Sequence, residues 1–204
     1  MKLGPKYKLA KRLGASIFEK TQTQKFALSQ ERSAMRKKGG RGRGPSEFGK
    51  QLLEKQKVRI TYGLSESQFA SYVRAAVGTH GRVPSEVLHE LIEMRLDNVV
   101  YRLGLASTRR MARQMVSHGH ITINAIKTTI PSRAMKIGEK IAVRDGSKNR
   151  VLFENLAERN ADRTLPTWLS WDMKSMSGAL SEYPTVDATA TAGDLPMVLS
   201  FYSR

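Results

Sequence analysis

No cysteine occurs among the 204 residues, which removes disulfides, thiolate zinc sites, iron–sulfur clusters and cysteine nucleophiles together. Long apolar runs are missing too. Arg or Lys interrupts every hydrophobic stretch before it reaches the roughly 18 to 20 residues needed to cross a bilayer, so a soluble chain is expected. Acidic side chains are scarce, 18 Asp and Glu against 35 Lys and Arg, for a net charge of +17. That imbalance sets up a positive field favouring polyanions, with nucleic acid ahead of an anionic membrane. The basic opening MKLGPKYKLAKRLG is not followed by an apolar core and a small-residue cleavage site, so it does not read as a secretory signal. Gly4-Pro5 and Gly14 would interrupt the amphipathic helix of an organelle transit peptide.

The charge that is present is polarised. Residues 1–62 hold 17 Lys and Arg against 4 acids, residues 63–164 hold 16 against 10, and residues 165–204 hold 2 against 4. A basic N-terminal third, a mixed middle able to fold conventionally and a mildly acidic tail are expected to serve different purposes. Within the first, Arg36, Lys37, Lys38, Arg41 and Arg43 are interleaved with glycine up to Pro45, with no apolar residue to seed a core. This run reads as a mobile arm that tracks a phosphate backbone, glycine allowing close approach. A solvated linker is the plainer alternative. A nucleotide-phosphate loop is disfavoured, since no strand precedes these glycines and no helix with a Lys-Ser/Thr opening follows.

Residues 46–62 place Phe48, Leu52, Leu53 and Val58 at helical spacing, with Lys50, Lys55, Lys57 and Arg59 on the remaining faces, the pattern of a basic amphipathic helix. Ser65 reads as an N-cap with Gln68 as its capping-box partner, opening a helix with Phe69, Tyr72, Val73 and Ala76 on one face and Gly78 at its end. After a loop over 79–85, Leu88, Leu91, Ile92, Leu96, Val99, Val100 and Leu103 form a core-facing helical stripe that Gly104 ends. Arg95, Asn98 and Arg102 fall on its other faces. A second helix, capped by Ser107 or Thr108, turns Met111, Ala112, Met115 and Val116 inward and Arg109, Arg110, Arg113, Gln114 and Ser117 outward. Past Gly119 the period changes to two: Ile121 and Ile123 alternate with His120, Thr122 and Asn124, a half-buried strand. Asn124-Ala125 suggests a tight turn, though glycine would suit its second position better. Ile141 to Val143 form a further strand. Two helices and a small sheet with cations on one face make a compact α+β module.

The run RLDNVVYRLGLASTRRMARQMVSHGHITIN, from Arg95 to Asn124, resembles the S-four RNA-binding fold. The motifs KYKLAKRLG from Lys6, EKQKVRITYG from Glu54, PTWLSWD from Pro166 and VLSFYSR from Val198 extend the resemblance, in the expected order, to the bacterial-type S-four family of small-subunit ribosomal proteins. The resemblance implies an α+β fold with a helical basic N-terminal region and a two-helix module on a small sheet. The division it suggests is a basic arm over 1–45, a helical region over 46–85, the module over 86–150 and a C-terminal extension over 151–204. It implies a structural protein that binds 16S-type rRNA directly, joins the subunit early and contributes to the mRNA entry region and translational accuracy. In this family the basic N-terminal region and the two-helix face grip RNA. That carries over to Lys6, Lys8, Lys11 and Arg12, to the cations of the arm and of the helices named above, and to Asn98, Ser107, Thr108, Gln114 and Ser117 on the two-helix face. The tail is expected to face a protein, ribosomal protein five first and ribosomal protein three second. No enzyme activity, cofactor, membrane or small-molecule substrate is implied, and the expected location is the ribosome of a bacterial cytoplasm, with an organellar ribosome second. Some relatives hold the N-terminal region with a four-cysteine zinc site; this chain is the zinc-free form, its N-terminal region relying on packing and RNA.

His118 and His120 stand at a helix-to-strand transition without the further ligands a metal needs, so RNA hydrogen bonding or stacking is expected of them. Tyr62, Tyr72 and Tyr101 sit at helical spacing and are expected in the core rather than on bases, and Trp168 and Trp171 to pack a C-terminal lid. S-four modules also occur as appendages of RNA-modifying enzymes and as short stand-alone RNA-binding proteins. The N-terminal segment is too basic and the tail too short for a catalytic domain, and the order-preserved termini argue against the short proteins.

Overall fold

The computed structural model describes residues 4–15, 17–38, 46–160, 164–185 and 193–203. They fall into two compact units, residues 1–88 with 187–204, and residues 89–186. In the first, α1 (Lys6–Leu13) begins after Pro5 and stops at Gly14, whose φ of 67° is left-handed. Proline and glycine thus bracket this helix rather than interrupt it, as suits a fixed φ at a helix start and a free one at its end. A 3-10 turn (Glu19–Thr21) leads into α2 (Gln24–Lys38). Ala10, Leu13, Phe18, Phe26 and Ile60 form a small core here, with Leu9, Ile17 and Leu53 packed against it. The segment expected as an arm over 1–45 therefore carries two helices as far as residue 38, because Leu13, Phe18 and Phe26 supply apolar anchors. Its glycine-rich part, with Arg41 and Arg43, lies outside the described residues.

Helix α3 (Glu47–Thr61) is capped by Ser46, whose side chain accepts from the Gly49 amide. The expected capping box opens α4 (Glu66–Val77): Ser65 Oγ accepts from Gln68 N at 3.3 Å and Gln68 Oε1 from Ser65 N at 3.4 Å. Next comes α5 (Pro84–Glu93).

One continuous helix is expected through Leu103, but the chain breaks it at Arg95, whose backbone is extended and bridges to Ala134. The amides of Leu96 and Asp97 donate to the carbonyls of Arg133 (2.8 Å) and Pro131 (3.1 Å), and Met135 N donates to Met94 O (2.8 Å). A returning loop thus takes the backbone groups that a continuing helix would use, and α6 (Leu96–Arg102) restarts beyond it. Thr108 caps α7 (Arg109–Ser117), its hydroxyl accepting from Met111 N at 3.0 Å.

Strands β1 (Ile121–Ile123), β2 (Ile126–Lys127) and β3 (Lys140–Val143) follow, then α8 (Asp145–Lys148), a 3-10 turn (Val151–Phe153), α9 (Leu156–Arg159), β4 (Leu169–Asp172) and β5 (Ser177–Leu180). The sheet is antiparallel in the order β2-β1-β3-β5-β4. Ile121 faces Val143 and Ile123 faces Ile141 across β1 and β3. These side chains share one core with Leu96, Val99, Val100, Ala112, Met115, Val116, Trp168 and Leu180. Strand β1 is buried along its whole length rather than half-buried, since Thr122 and His120 are covered as well. The fold class is α+β, as expected. The stretch expected as one extension over 151–204 is divided: β4 and β5 complete the sheet of residues 89–186, while residues from 187 on belong with 1–88. There α10 (Leu195–Tyr202), capped by Asp194, buries Leu195 and Val198 and packs on α3, with the Phe201 ring 5.4 Å from that of Phe48.

The two-residue turn between β1 and β2 has φ values of 50° at Asn124 and 66° at Ala125, the left-handed pair that a type I′ turn demands. Alanine there carries strain that glycine would not. Replacing it should therefore stabilise residues 89–186 by about 0.5–1 kcal/mol, net of the greater chain entropy of glycine. A melting temperature of Ala125→Gly at or below that of the parent would refute this.

Candidate nucleic-acid interface

The module's helices are joined by two carboxylates. Asp97 accepts from Arg95 through Nε (3.0 Å) and Nη2 (2.8 Å), and from Arg113 Nε on α7 (2.8 Å). Glu93 accepts from Arg102 Nε (2.8 Å) and Nη2 (2.7 Å) and from Asn98 Nδ2 (2.8 Å). Asn98 passes the link on, its Oδ1 accepting from Arg109 Nε at 2.9 Å, and the Arg109 guanidinium lies over the Tyr101 ring, 4.4 Å from its centroid. Arg95 and Asn98, expected on outward faces, are each only 2% exposed. They are internal pieces of this network and cannot present themselves to a ligand. Arg102, Arg109 and Arg113 are half-buried, each held on an acceptor from α6 or the end of α5.

Beyond this network α7 carries an outward row: Arg110, Gln114 and Ser117, followed by His118, are exposed, as is Ser107 before the cap. Spacings of four, three and one residues put them along one side of the helix. Arg109 and Arg110 also occupy its first two positions, and its first turn holds no acid. The helix dipole disfavours cations there and favours an anion, so this arrangement costs stability unless a phosphate or similar group is met.

The two kinds of arginine separate in an experiment. Arg110→Ala should weaken RNA binding roughly tenfold with little change in melting temperature, since a phosphate contact is worth on the order of 1 kcal/mol and nothing internal depends on this side chain. Arg109→Ala with Arg113→Ala should weaken binding and also lower the melting temperature, because Asn98 and Asp97 lose partners. Melting that is unchanged in the double variant would show that the network contributes nothing.

His120 is also inside, 5% exposed, with Nδ1 3.0 Å from the Ser147 hydroxyl and its ring 6.3 Å from that of Phe153. It cannot hydrogen-bond or stack on RNA from there, whereas His118, 6.1 Å away ring to ring, is exposed. Burial, followed by the charges of Arg150, His118 and Arg144, holds the His120 imidazole below its ordinary pKa of 6.5. The unfolded chain then binds the proton more readily, so stability is full above about pH 7 and declines as pH falls through the unfolded value toward the folded one. Thermal melts at about pH 7.5 and 5.5 should show a larger drop for the parent than for His120→Gln, which lacks the titrating ring; equal drops would contradict this.

Among residues 1–88, Lys8, Lys11 and Arg12 are exposed along α1, and Lys6 is half-buried with its ammonium 5.5 Å from the centre of the Phe18 ring. Arg36, Lys37 and Lys38 form the last residues of α2. Lys50 is exposed and reaches Glu47 at 3.5 Å. Lys55 departs most from expectation: 6% exposed, it pairs with Glu66 at 2.7 Å and lies 4.4 Å from the centre of the Phe201 ring. The docking of α10 covers the face of α3 on which it lies. Partial burial would raise the Glu66 carboxyl, but hydrogen bonds from Lys55 and Tyr202 outweigh it and hold the pKa below the ordinary value. Lys57 pairs with Glu54 at 2.5 Å, and Arg59 bonds Gln56 and reaches Glu66 at 3.4 Å, leaving both half-buried. Sequence reasoning passed over Arg144 and Arg150, which the fold brings beside His120; only their charge signalled them. Tyr62 is buried within its own unit, and Tyr101 is half-buried against the core of residues 89–186. Among the described residues no three His, Asp or Glu side chains converge as a metal site, and no helix is long and apolar enough to cross a membrane.

Comparison with known proteins covers both units. The S4 domain family matches residues 94–141, and the family described as ribosomal protein S4/S9 N-terminal domain matches residues 2–93. A protein of Roseiflexus castenholzii named small ribosomal subunit protein uS4 is 41% identical over 208 aligned positions, covering 99% of this chain and 98% of its own length. Its namesake in Limosilactobacillus reuteri is 40% identical over 206, covering 98% of each. That of Syntrophomonas wolfei is 44% identical over 165, covering 81% of this chain and 78% of its own. Since the identity runs through the helical N-terminal region, the α6–α7 pair and the sheet alike, this chain belongs to the uS4 family of small ribosomal subunit proteins.

Proposed function

We propose that this protein is a structural, non-enzymatic constituent of the small ribosomal subunit that binds its rRNA directly. The observation that carries the reading is the end-to-end identity with relatives bearing that name; the outward row of α7, with two cations at a helix start, supports it. Lys8, Lys11, Arg12, Lys50, Ser107, Arg110, Gln114, Ser117 and His118 are the described candidates whose side chains are exposed for RNA, with Arg109 and Arg113 presenting what the network leaves outward. On the same reading the protein nucleates subunit assembly, stands near the mRNA entry channel and influences accuracy. It touches ribosomal protein five and, second, ribosomal protein three, and works in the bacterial cytoplasm. Sedimentation tests this: the protein should stay with 30S-type particles through a high-salt wash. Recovery at the top of the gradient, away from the particles, would overturn it.

A further inference from the structure

A second group of cations gathers near the C-terminal end of α7. The segment 144–150 reads Arg-Asp-Gly-Ser-Lys-Asn-Arg, three cations and one acid, and that acid, Asp145, is taken up by Lys148 at 2.8 Å. Backbone bonds wrap the segment around His120: Arg144 N donates to His120 O at 2.8 Å, Ser147 N to Arg144 O at 2.7 Å, and Arg150 N to Ser147 O at 3.1 Å. Ser147 meets the imidazole itself at 3.0 Å. Arg144 and Arg150 therefore belong to the loop that encloses the buried ring, and exposed His118 stands 6.1 Å from it. After burial, the charges of Arg150, His118 and Arg144 each act on His120 to hold its pKa down.

Two features mark this cluster as incomplete. The Arg144 Nε is buried without a hydrogen-bond partner, and a buried donor without an acceptor is costly. Among the described residues no carboxylate forms an ion pair with Arg144 or Arg150. An oxyanion cannot reach that buried nitrogen, but against the exposed Arg150 and the accessible part of the half-buried Arg144 guanidinium it would neutralise charges that no carboxylate balances.

We propose that His118, Arg144 and Arg150 form a second phosphate-binding site that takes a backbone phosphodiester of the RNA contacted by α7. The inference rests on the rRNA-binding reading above and extends the surface of α7 past its C-terminal end to α8. Base recognition is not required, because guanidinium groups read phosphate by charge and fork geometry alone.

The test uses the full chain and 16S-type rRNA in filter binding between about 0.1 and 0.4 M KCl. Arg150→Gln alters an exposed side chain and leaves the fold intact; Arg144→Gln and the pair complete the set. Each single change should cost roughly sixfold in affinity at about 0.1 M salt and flatten the plot of log affinity against log salt by about 0.7–0.9, and the pair by twice that. Lys174→Gln, on the turn between β4 and β5, removes the same charge and should flatten the slope by less than half as much. If the parent protein does not bind this rRNA, the proposed function itself fails. A parent that binds with a steep slope, alongside arginine variants that keep that slope, overturns the second site alone. Equal flattening by Lys174→Gln overturns it too, since the arginines would then act only through net charge.

Discussion

Raising KCl from about 0.1 to 0.4 M should lower the affinity of this protein for small-subunit rRNA by roughly four to five powers of ten, a slope of log affinity on log salt of about −6 to −9. The expectation follows from counting. Exposed cations lie along α1, on α3 and on α7, Arg109 and Arg113 face partly outward, and further Lys and Arg close α2 and follow it. About ten phosphate contacts at roughly 0.7 to 0.9 each give the slope. The cations that pair internally are left out of this count: Arg95, Lys55 and Lys57 are held by Asp97, Glu66 and Glu54 and have little to offer a phosphate. A slope near −2 would mean that most of the exposed charge acts only as a distant field.

Asp97→Ala should destabilise residues 89–186 by about 3–5 kcal/mol, lowering their melting temperature on the order of 15 °C or more. The effect exceeds that of an ordinary ion pair because of where the partner lies. The Arg95 side chain is 3% exposed and bonds Asp97 through two nitrogens. Without the carboxylate its buried guanidinium loses the charged acceptor of two of its nitrogens, and Arg113 loses its anchor as well. Removing both charges together should cost less: Arg95→Met with Asp97→Leu replaces a charge pair by apolar volume, a change often neutral or better in other buried pairs. Urea denaturation of the two variants decides the matter. A loss below about 1 kcal/mol for Asp97→Ala would show that water reaches Arg95 after all.

Local chemistry made much of this fold legible in the sequence. The Ser65–Gln68 capping box, the Thr108 cap, the strand from Ile121 and the turn at Asn124-Ala125 are each written within a few residues and each appears where it was expected, although the strand is buried throughout rather than on one face. Features that depend on distant partners escaped. The break at Arg95 is invisible to periodicity because Leu88, Ile92, Leu96 and Val99 keep helical spacing across it, while the competing carbonyls come from residues 131 and 133. The inward placement of Arg95, Asn98, Lys55 and His120 follows the same logic: a polar side chain goes inside only where the fold supplies Asp97, Glu93, Glu66 or Ser147 as its partner. Polarity alone read as outward-facing in all four cases. Of the surface candidates, the α7 row could be read from helical spacing, whereas Arg144 and Arg150 gather only through the turns around His120.

The docking of α10 on α3 has a consequence for synthesis. Thr61 ends α3 and Leu195 begins α10, so translation at roughly 5–20 residues per second separates the two by on the order of ten seconds. Over that interval Phe48 has no Phe201 to pack on, and Lys55 and Glu66 stand without the aromatic cover that later shields their pair. The β-sheet of residues 89–186 draws only on chain made earlier and can close first. The face of α3 made early is therefore covered only when the last helix docks on it, after the small core around Phe18 and Phe26 and the later sheet can already have formed.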